Sequence, residues 1–474
     1  MVQFSRRGLL GAALVAVAGC TTTVRRNSTA IAQFDGSDET TTMQASLTAA
    51  AGGTLIVPRG KTIKTKTVTV PAGTTLAGKG PDSVIDLIDD GTTTSRSIYV
   101  NAVAGVTIRD LTIRSSNAVG RTGVYGLIRC LSATGLTIRN CVFTTSPSVA
   151  IWTQQCTDAL IQGNHITSTF ADGIHISRNS VRVKILNNDI NGTGDDGIGI
   201  VSYSSTANPF PVCQDIIIEG NTITNSPARG IAVVGGDGIL VRGNTIRSTS
   251  SAGILVGGEL GDDGNSTHFV TDVTLDGNTV TSSGLSAAQP TRQGIYVSHA
   301  RGGIVQGNIV SLSAVDGIAV GGVNKEITVA NNYVFSSGGR GINIAQATST
   351  DARLILELFT NRGESGVTTA GISEIVIDGN TIRSCSQDGI NAAGASGAFI
   401  PGCTISNNSV DGVNAGPYYA ILANYLTRSV VSGNRTKSRG IALLTCTDTV
   451  VNGNSVCGVD ARGIFILGGI CQPV

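Results

Sequence analysis

From about residue 160 to the C-terminus, apolar and polar positions recur in one short phrase. Two apolar residues lead, then a Gly or Asn, then an Asn, then an apolar residue two places on, as in LIQGNHI, IIEGNTI and VIDGNTI. The Asn recurs eleven times between Asn164 and Asn454, and the shortest steps are 20 to 24 residues. A fixed period in this range means stacked supersecondary units rather than one layered core. The residue before each Asn is Gly or Asn, with Asp110 and Asn140 at the same place in two weaker upstream copies. These types tolerate a left-handed backbone, so each unit makes a sharp bend between strands. An Asn stacked on an Asn at every bend can hydrogen-bond along the stack and to its own turn. A second phrase follows each bend, as in DGIHI from Asp172, RGIAV from Arg229 and DGINA from Asp388. Its alternation predicts a strand with Ile and Val inward and one variable residue outward. Two strands and a bend per coil, about a dozen or more times, predict an all-β right-handed parallel β-helix.

The pattern divides the chain. Residues 1–20 read as an export leader, 21–32 as a linker, 33–80 as an N-terminal cap with the first coils, and 81–474 as repeats. Met43, Leu47, Ala50 and Ala51 at helical spacing predict a short helix covering the open end of the first coil. Insertions fall near 202–215, 257–272, 283–292 and 346–374, where they are expected to wall one lateral face. In the second, Glu259 and Asp262-Asp263-Gly264-Asn265 read as a solvated turn.

The leader carries Ser5-Arg6-Arg7-Gly8-Leu9-Leu10, which resembles the twin-arginine export motif, and an apolar run from Leu9 to Ala18 too short to span a bilayer. The run ends in Val17-Ala18-Gly19-Cys20, which resembles a lipobox with Cys20 as the acylated residue. Cleavage as an ordinary signal peptide, nearby or at Ala30-Ile31-Ala32, is the alternative. The implied location is the periplasm or cell envelope, with a membrane attachment through the N-terminal lipid.

Sixty-two Gly and 4% aromatic residues suit many short strands and turns, not a helical domain. The formal net charge is +1, and loss of Arg6 and Arg7 with the leader makes it −1, so nothing in the charge calls for nucleic acid. Nine cysteines follow Cys20 without a regular framework. Cys130 with Cys156, Cys385 with Cys403 and Cys446 with Cys471 are the pairing options, and Cys141 occupies the ladder position as a small buried filler. No C-x-x-C occurs and the four His are scattered, so no metal site is assigned.

Candidate chemistry comes from two positions of the second phrase. The outward position gives Tyr125, Trp152 and His175, expected as a contiguous patch suited to the apolar face of a sugar ring. Arg178 and Tyr203 are nearby candidates for substrate binding. The residue before the Gly places Asp172 and Asp196 one strand spacing apart, with Asp195 beside them and Arg229 on the next coil. Carboxylates so close raise a pKa or recruit a cation such as calcium. Asp172, Asp195, Asp196, His175 and Arg229 are therefore the candidate catalytic set. Asp316 and Asp388 share the Asp-Gly-Ile position without an acidic neighbour, and on that reading all four are turn residues capping backbone amides.

Three resemblances bear on the reading. The run from Asp35-Gly36 through the Ala-rich helix and GGTLIVPRG is similar to the N-terminal segment of pectin-lyase-like β-helix proteins, a superfamily of polysaccharide lyases, hydrolases and epimerases. With its leader and Asn ladder, the chain resembles a twin-arginine-translocated repeat family of uncharacterised function within it. Asp172-Gly173 followed by Asp195-Asp196 is similar to the start of the polygalacturonase pattern. The next coil has Ala228-Arg229-Gly230 where that pattern has Gly-His-Gly, and Arg229 fits better a calcium-assisted lyase with arginine as base. Two functions stay open. One is a cell-envelope enzyme acting on polysaccharide by elimination, hydrolysis or epimerisation; the other is a non-catalytic, glycan-binding or adhesin-like envelope lipoprotein.

Lipoprotein processing supplies the additional acyl chains that stable anchoring needs. Cys20→Ala should therefore release the protein from membranes, and Arg6→Lys with Arg7→Lys should block export. Cell fractionation checks both, and wild-type protein wholly soluble in the periplasm would exclude the lipobox.

Overall fold

The computed structural model describes residues 28–30, 36–89, 97–121, 126–204, 211–259, 266–345, 371–414, 416–458, 463–468 and 471–473. The export motif, Cys20, Tyr125 and most of the 346–374 insertion lie outside them. The described chain winds into parallel stacked coils, and a coil holds three strands, not two. One coil comprises Leu160–Gln162, His165–Thr169 and Ile174–Ser177. Each pairs in parallel with its counterpart one coil on, at Lys184–Leu186, Asp189–Asn191 and Ile198–Val201. The strands just after the bend form a stack of their own, fifteen strong, from Lys61–Thr65 to Ser455–Val456. They escaped the pattern because many are brief and bury one apolar side chain, as Asp189–Asn191 buries Ile190. So short an alternation cannot be told from a turn.

The bends are as expected. All thirteen residues before the ladder position, Asp110 and Asn140 included, have φ between 53° and 67°. At Gly220 the conformation is doubly required, because a Cβ there would meet Asn187 Oδ1 at 2.3 Å. One residue on, each ladder Asn offers its Oδ1 to the previous Asn. From Asn188 to Asn454 that oxygen accepts both the backbone N–H and the side-chain Nδ2 of the preceding Asn at 2.9–3.0 Å. Nδ2 also donates to a carbonyl beyond, as Asn221 does to Ile185 at 2.9 Å. At the head of the ladder Cys141 is buried and its N–H donates to Asn164 Oδ1 at 3.0 Å.

The interior is a column of Ile, Val and Leu, each fully buried one contributing roughly 1.5–3 kcal/mol. The helix Thr40–Ala49 closes its N-terminal end with Met43 and Leu47 fully buried. Ala51, expected on the same face, is exposed past the helix end. Ser28–Ala30, in the segment expected as a linker, pair in parallel with Thr54–Ile56. The proposed pairings of Cys130 with Cys156 and of Cys385 with Cys403 do not form; all four thiols are free and buried. Burial pushes Cys385 and Cys403 up to about 12, so they remain inert thiols. Among the described residues no helix is long and apolar enough to cross a membrane.

Asn221→Ala removes the acceptor for two donors of Asn188 and the donor to Ile185. Unmet buried groups of this kind should cost about 1–3 kcal/mol. Thr222→Ala, at an exposed neighbour, should be nearly silent in the same denaturant titration. Equal losses at the two positions would remove the ladder from the account.

Candidate active site

The strand Ile174–Ser177 and the strands stacked on it carry the candidate residues. Gly173 N–H donates to Asp196 O, and Gly197 N–H to Arg229 O, both at 3.0 Å, which stacks Asp172, Asp196 and Arg229 on successive coils. The turn-cap role is real for one oxygen of each such Asp. Asp172 Oδ1 accepts the Asp196 N–H at 3.3 Å, and Asp196 Oδ1 accepts the Arg229 N–H at 2.8 Å. Asp316 and Asp388 do the same for Arg340 and Tyr419, both at 2.8 Å. The second oxygen is what differs. Asp172 Oδ2 meets His175 Nδ1 at 2.6 Å, and Asp196 Oδ2 accepts from Arg229 Nη2 at 2.9 Å. At the control positions it meets Asn343 Nδ2 at 2.7 Å and Arg340 Nε at 3.4 Å.

Only at the first pair does a third carboxylate join. Asp172, Asp195 and Asp196 have oxygens all within 4.8 Å of one another. Asp195 is the accessible member, with 39% of its side chain exposed, and Arg121 Nη1 lies 3.5 Å from its Oδ2. These groups open into a cavity of about 360 Å³ lined also by Trp152, His175, Tyr203, Arg229 and Glu259. Trp152 and His175 meet edge to face at 5.4 Å, and the indole N–H donates to Ser177 Oγ at 2.9 Å. The floor is open because position 199 is Gly, where a Cβ would lie 3.0 Å from Asp172 Oδ2.

Electrostatics follow from this crowding. Burial, then the Asp172 charge, lifts Asp195 above the usual carboxylate range against the pull of Arg229 and Arg121. Burial lifts Asp196 well above it too, with Arg229 opposing and Asp172 and Asp195 adding. Burial pulls Arg229 down, but Asp196, Glu259 and the other two carboxylates more than offset it and hold its pKa above the ordinary value. Burial and like charge thus make Asp195 and Asp196 harder to ionise than isolated carboxyls.

That state of Arg229 corrects one expectation. A guanidinium bound to Asp196 and to Glu259 Oε1 at 3.0 Å, with its proton held more tightly than usual, cannot act as a base. The three carboxylates offer oxygens close enough together to hold a cation such as calcium, with Arg229 competing for Asp196.

Of the expected residues, Asp172, Asp195, Asp196, His175, Arg229, Trp152 and Tyr203 line one cavity. Arg178 does not; it is exposed and reaches back to the Gln154 amide, whose oxygen accepts from Nη1 at 2.9 Å. Tyr125 lies outside the described residues, and its expected place beside Trp152 belongs to Arg129. The Gly123-Val124-Tyr125 run imitates the strand phrase four residues too early. Sequence reading missed Arg121, which sits in no repeat phrase, and took Glu259 for a solvated turn. Glu259 instead accepts from Arg229 and from Tyr203 OH, the latter at 2.9 Å.

A parallel β-helix with an acidic lateral cavity is the class that fold and site define. The chain belongs to the right handed beta helix region family, which matches residues 87–212, 210–355 and 316–471. No curated protein matches it in sequence. Among solved structures it is similar to the A-module of Azotobacter vinelandii mannuronan C-5 epimerase AlgE6, at 14% identity over 92% of this chain and 96% of that one, TM-score 0.49. It is also similar to the catalytic unit of the GH87 alpha-1,3-glucanase of Streptomyces thermodiastaticus strain HF3-3, at 14% identity over 92% and 66%, TM-score 0.43. A GH87 alpha-1,3-glucanase catalytic domain in complex with nigerose gives 17% identity over 94% and 69%, TM-score 0.47.

Because folding raises the Asp195 pKa, ionising that carboxyl costs native-state stability as pH climbs from the free value of 3.8 through the folded one. Asp195→Asn should therefore raise the melting temperature at neutral pH, and the gain should vanish below about pH 3.8. Paired thermal melts across that range check it. A variant less stable than wild type at neutral pH would mean that Asp195 serves the scaffold.

Proposed function

We propose that the protein is an exported cell-envelope enzyme that cleaves glycosidic bonds in a polysaccharide. The observation that carries this reading is the convergence of Asp172, Asp195 and Asp196 on a cavity lined by His175 and Trp152. Glycoside hydrolysis needs one carboxyl that gives a proton and another that takes one. Asp195 suits the acid: its pKa is raised and it is the most exposed of the three. It would protonate the glycosidic oxygen as the bond to the anomeric carbon breaks. A water held by Asp172 and Asp196 would attack that carbon and pass its proton to the Asp172–His175 pair. Arg229, locked as a cation, steadies the charge left on Asp196. Trp152 offers its ring to a sugar face. The glycan-binding rod remains the second reading, favoured only by Asp316 and Asp388 using the same turn-capping oxygen.

The mature protein should depolymerise at least one member of a panel of acidic and neutral glycans, from uronans to glucans. Asp195→Asn should lower turnover by about 10²-fold or more, the scale of a lost general acid. Asp316→Asn, at the same repeat position, should leave it unchanged. Equal behaviour of the two variants would favour the rod.

A further inference from the structure

The cavity has two unlike ends. On the strands that carry it, the outward position reads Tyr99, Arg129, Trp152, His175, Gly199, Ala232 and Leu255 on successive coils. Tyr99, Arg129, Trp152 and His175 stay partly exposed. Past Gly199 the same row disappears from the surface: Ala232 is 0% exposed and Leu255 6%. With Val234 and Ala252 they form a second apolar cluster, outside the main core, packed against Tyr296.

Outward residues are buried only where something covers them. Beside this row the two insertions meet as an antiparallel ribbon, Tyr203 opposite Thr267 and Ser204 opposite Ser266. Thr267 fixes the base of Glu259: its N–H donates to Glu259 O at 2.9 Å and its hydroxyl accepts the Glu259 N–H at 2.7 Å. From there Glu259 accepts from Tyr203 OH at 2.9 Å and from Arg229 Nη1 at 3.0 Å, while Arg229 Nη2 reaches Asp196. Three side chains from three coils are thus tied into a wall by directional bonds, two of them charge-assisted.

We infer that this wall makes the cleft blind at the Arg229 end, so that the enzyme works from the terminus of a sugar chain rather than within it. This rests on the glycan-cleaving reading above and specifies its mode. The wall stands one coil beyond Asp196, about 4.8 Å, a length comparable with one sugar residue. In the other direction the row from His175 back to Tyr99 spans three coil spacings, about 14 Å, where a longer stretch of chain can lie. Its surface suits sugar rings, with Trp152 against His175 and the Arg129 guanidinium 4.9 Å from the Tyr99 ring centre. Tyr203 and Glu259 are then residues that determine specificity by closing the cleft.

The test uses whichever glycan of the panel the wild type degrades. Product sizes are followed against mean chain length, and oligosaccharides of that glycan carry a bulky fluorophore at one end or the other. Wild type should release short, uniform products while the remaining polymer keeps most of its length, and the fluorophore should block turnover at one end only. Glu259→Ala should raise internal cleavage relative to end release by about tenfold. Tyr203→Phe, which removes one hydroxyl, should shift the ratio the same way by less and guards against a misfolded first variant. Wild-type turnover with random product lengths and tolerance of both labels overturns the blind cleft alone. No turnover of any polymer or oligomer overturns the functional reading, and the blind cleft with it.

Discussion

One carbonyl oxygen per coil, taking two N–H donors from the asparagine before it, sets the geometry on which everything else stands. It satisfies buried turn amides that have no sheet partner, and it does so only if each coil begins where the last one did. The left-handed residue before it turns the chain at the same place each time. With the turn fixed, inward and outward positions keep their registry from coil to coil. A side chain on one coil therefore sits one strand spacing from its equivalent on the next.

The site exploits that registry. A repeat that calls for Asp at a turn uses one oxygen of the carboxylate for a backbone N–H and leaves the other free to vary in partner. On four coils that second oxygen meets a His, an Arg, an Asn or another Arg. Capping a turn does not exclude chemistry at Asp172 and Asp196, because each carboxylate has a second oxygen with its own partner. What separates this place from Asp316 and Asp388 is the single addition of Asp195, a glycine at 199 that leaves the floor clear, and loops that bring an opposing guanidinium partner.

The sequence made the repeat legible because a ladder position admits so few residue types. It also placed the Asp172, Asp196 and Arg229 stack, since register follows from the bends. The third strand of each coil was illegible, with one inward residue to announce it. Tyr125 was misplaced because Gly123-Val124-Tyr125 copies the strand phrase just ahead of the true strand, Ile128–Leu131. Arg121 and Glu259 could not be found by period, because insertions obey none. Their partners are chosen by tertiary contact across as many as 74 residues.

The central claim is that Asp195 faces the bond to be broken. The most direct measurement is a crystal structure of the Asp195→Asn variant holding the oligosaccharide that the wild type turns over. The account predicts a sugar ring against Trp152 and a glycosidic oxygen within hydrogen-bond reach of the residue 195 amide. One chain end should abut Arg229 and Glu259, with the rest leaving toward Arg129 and Tyr99. A sugar bound elsewhere on the helix, with the carboxylate cavity empty, would contradict it.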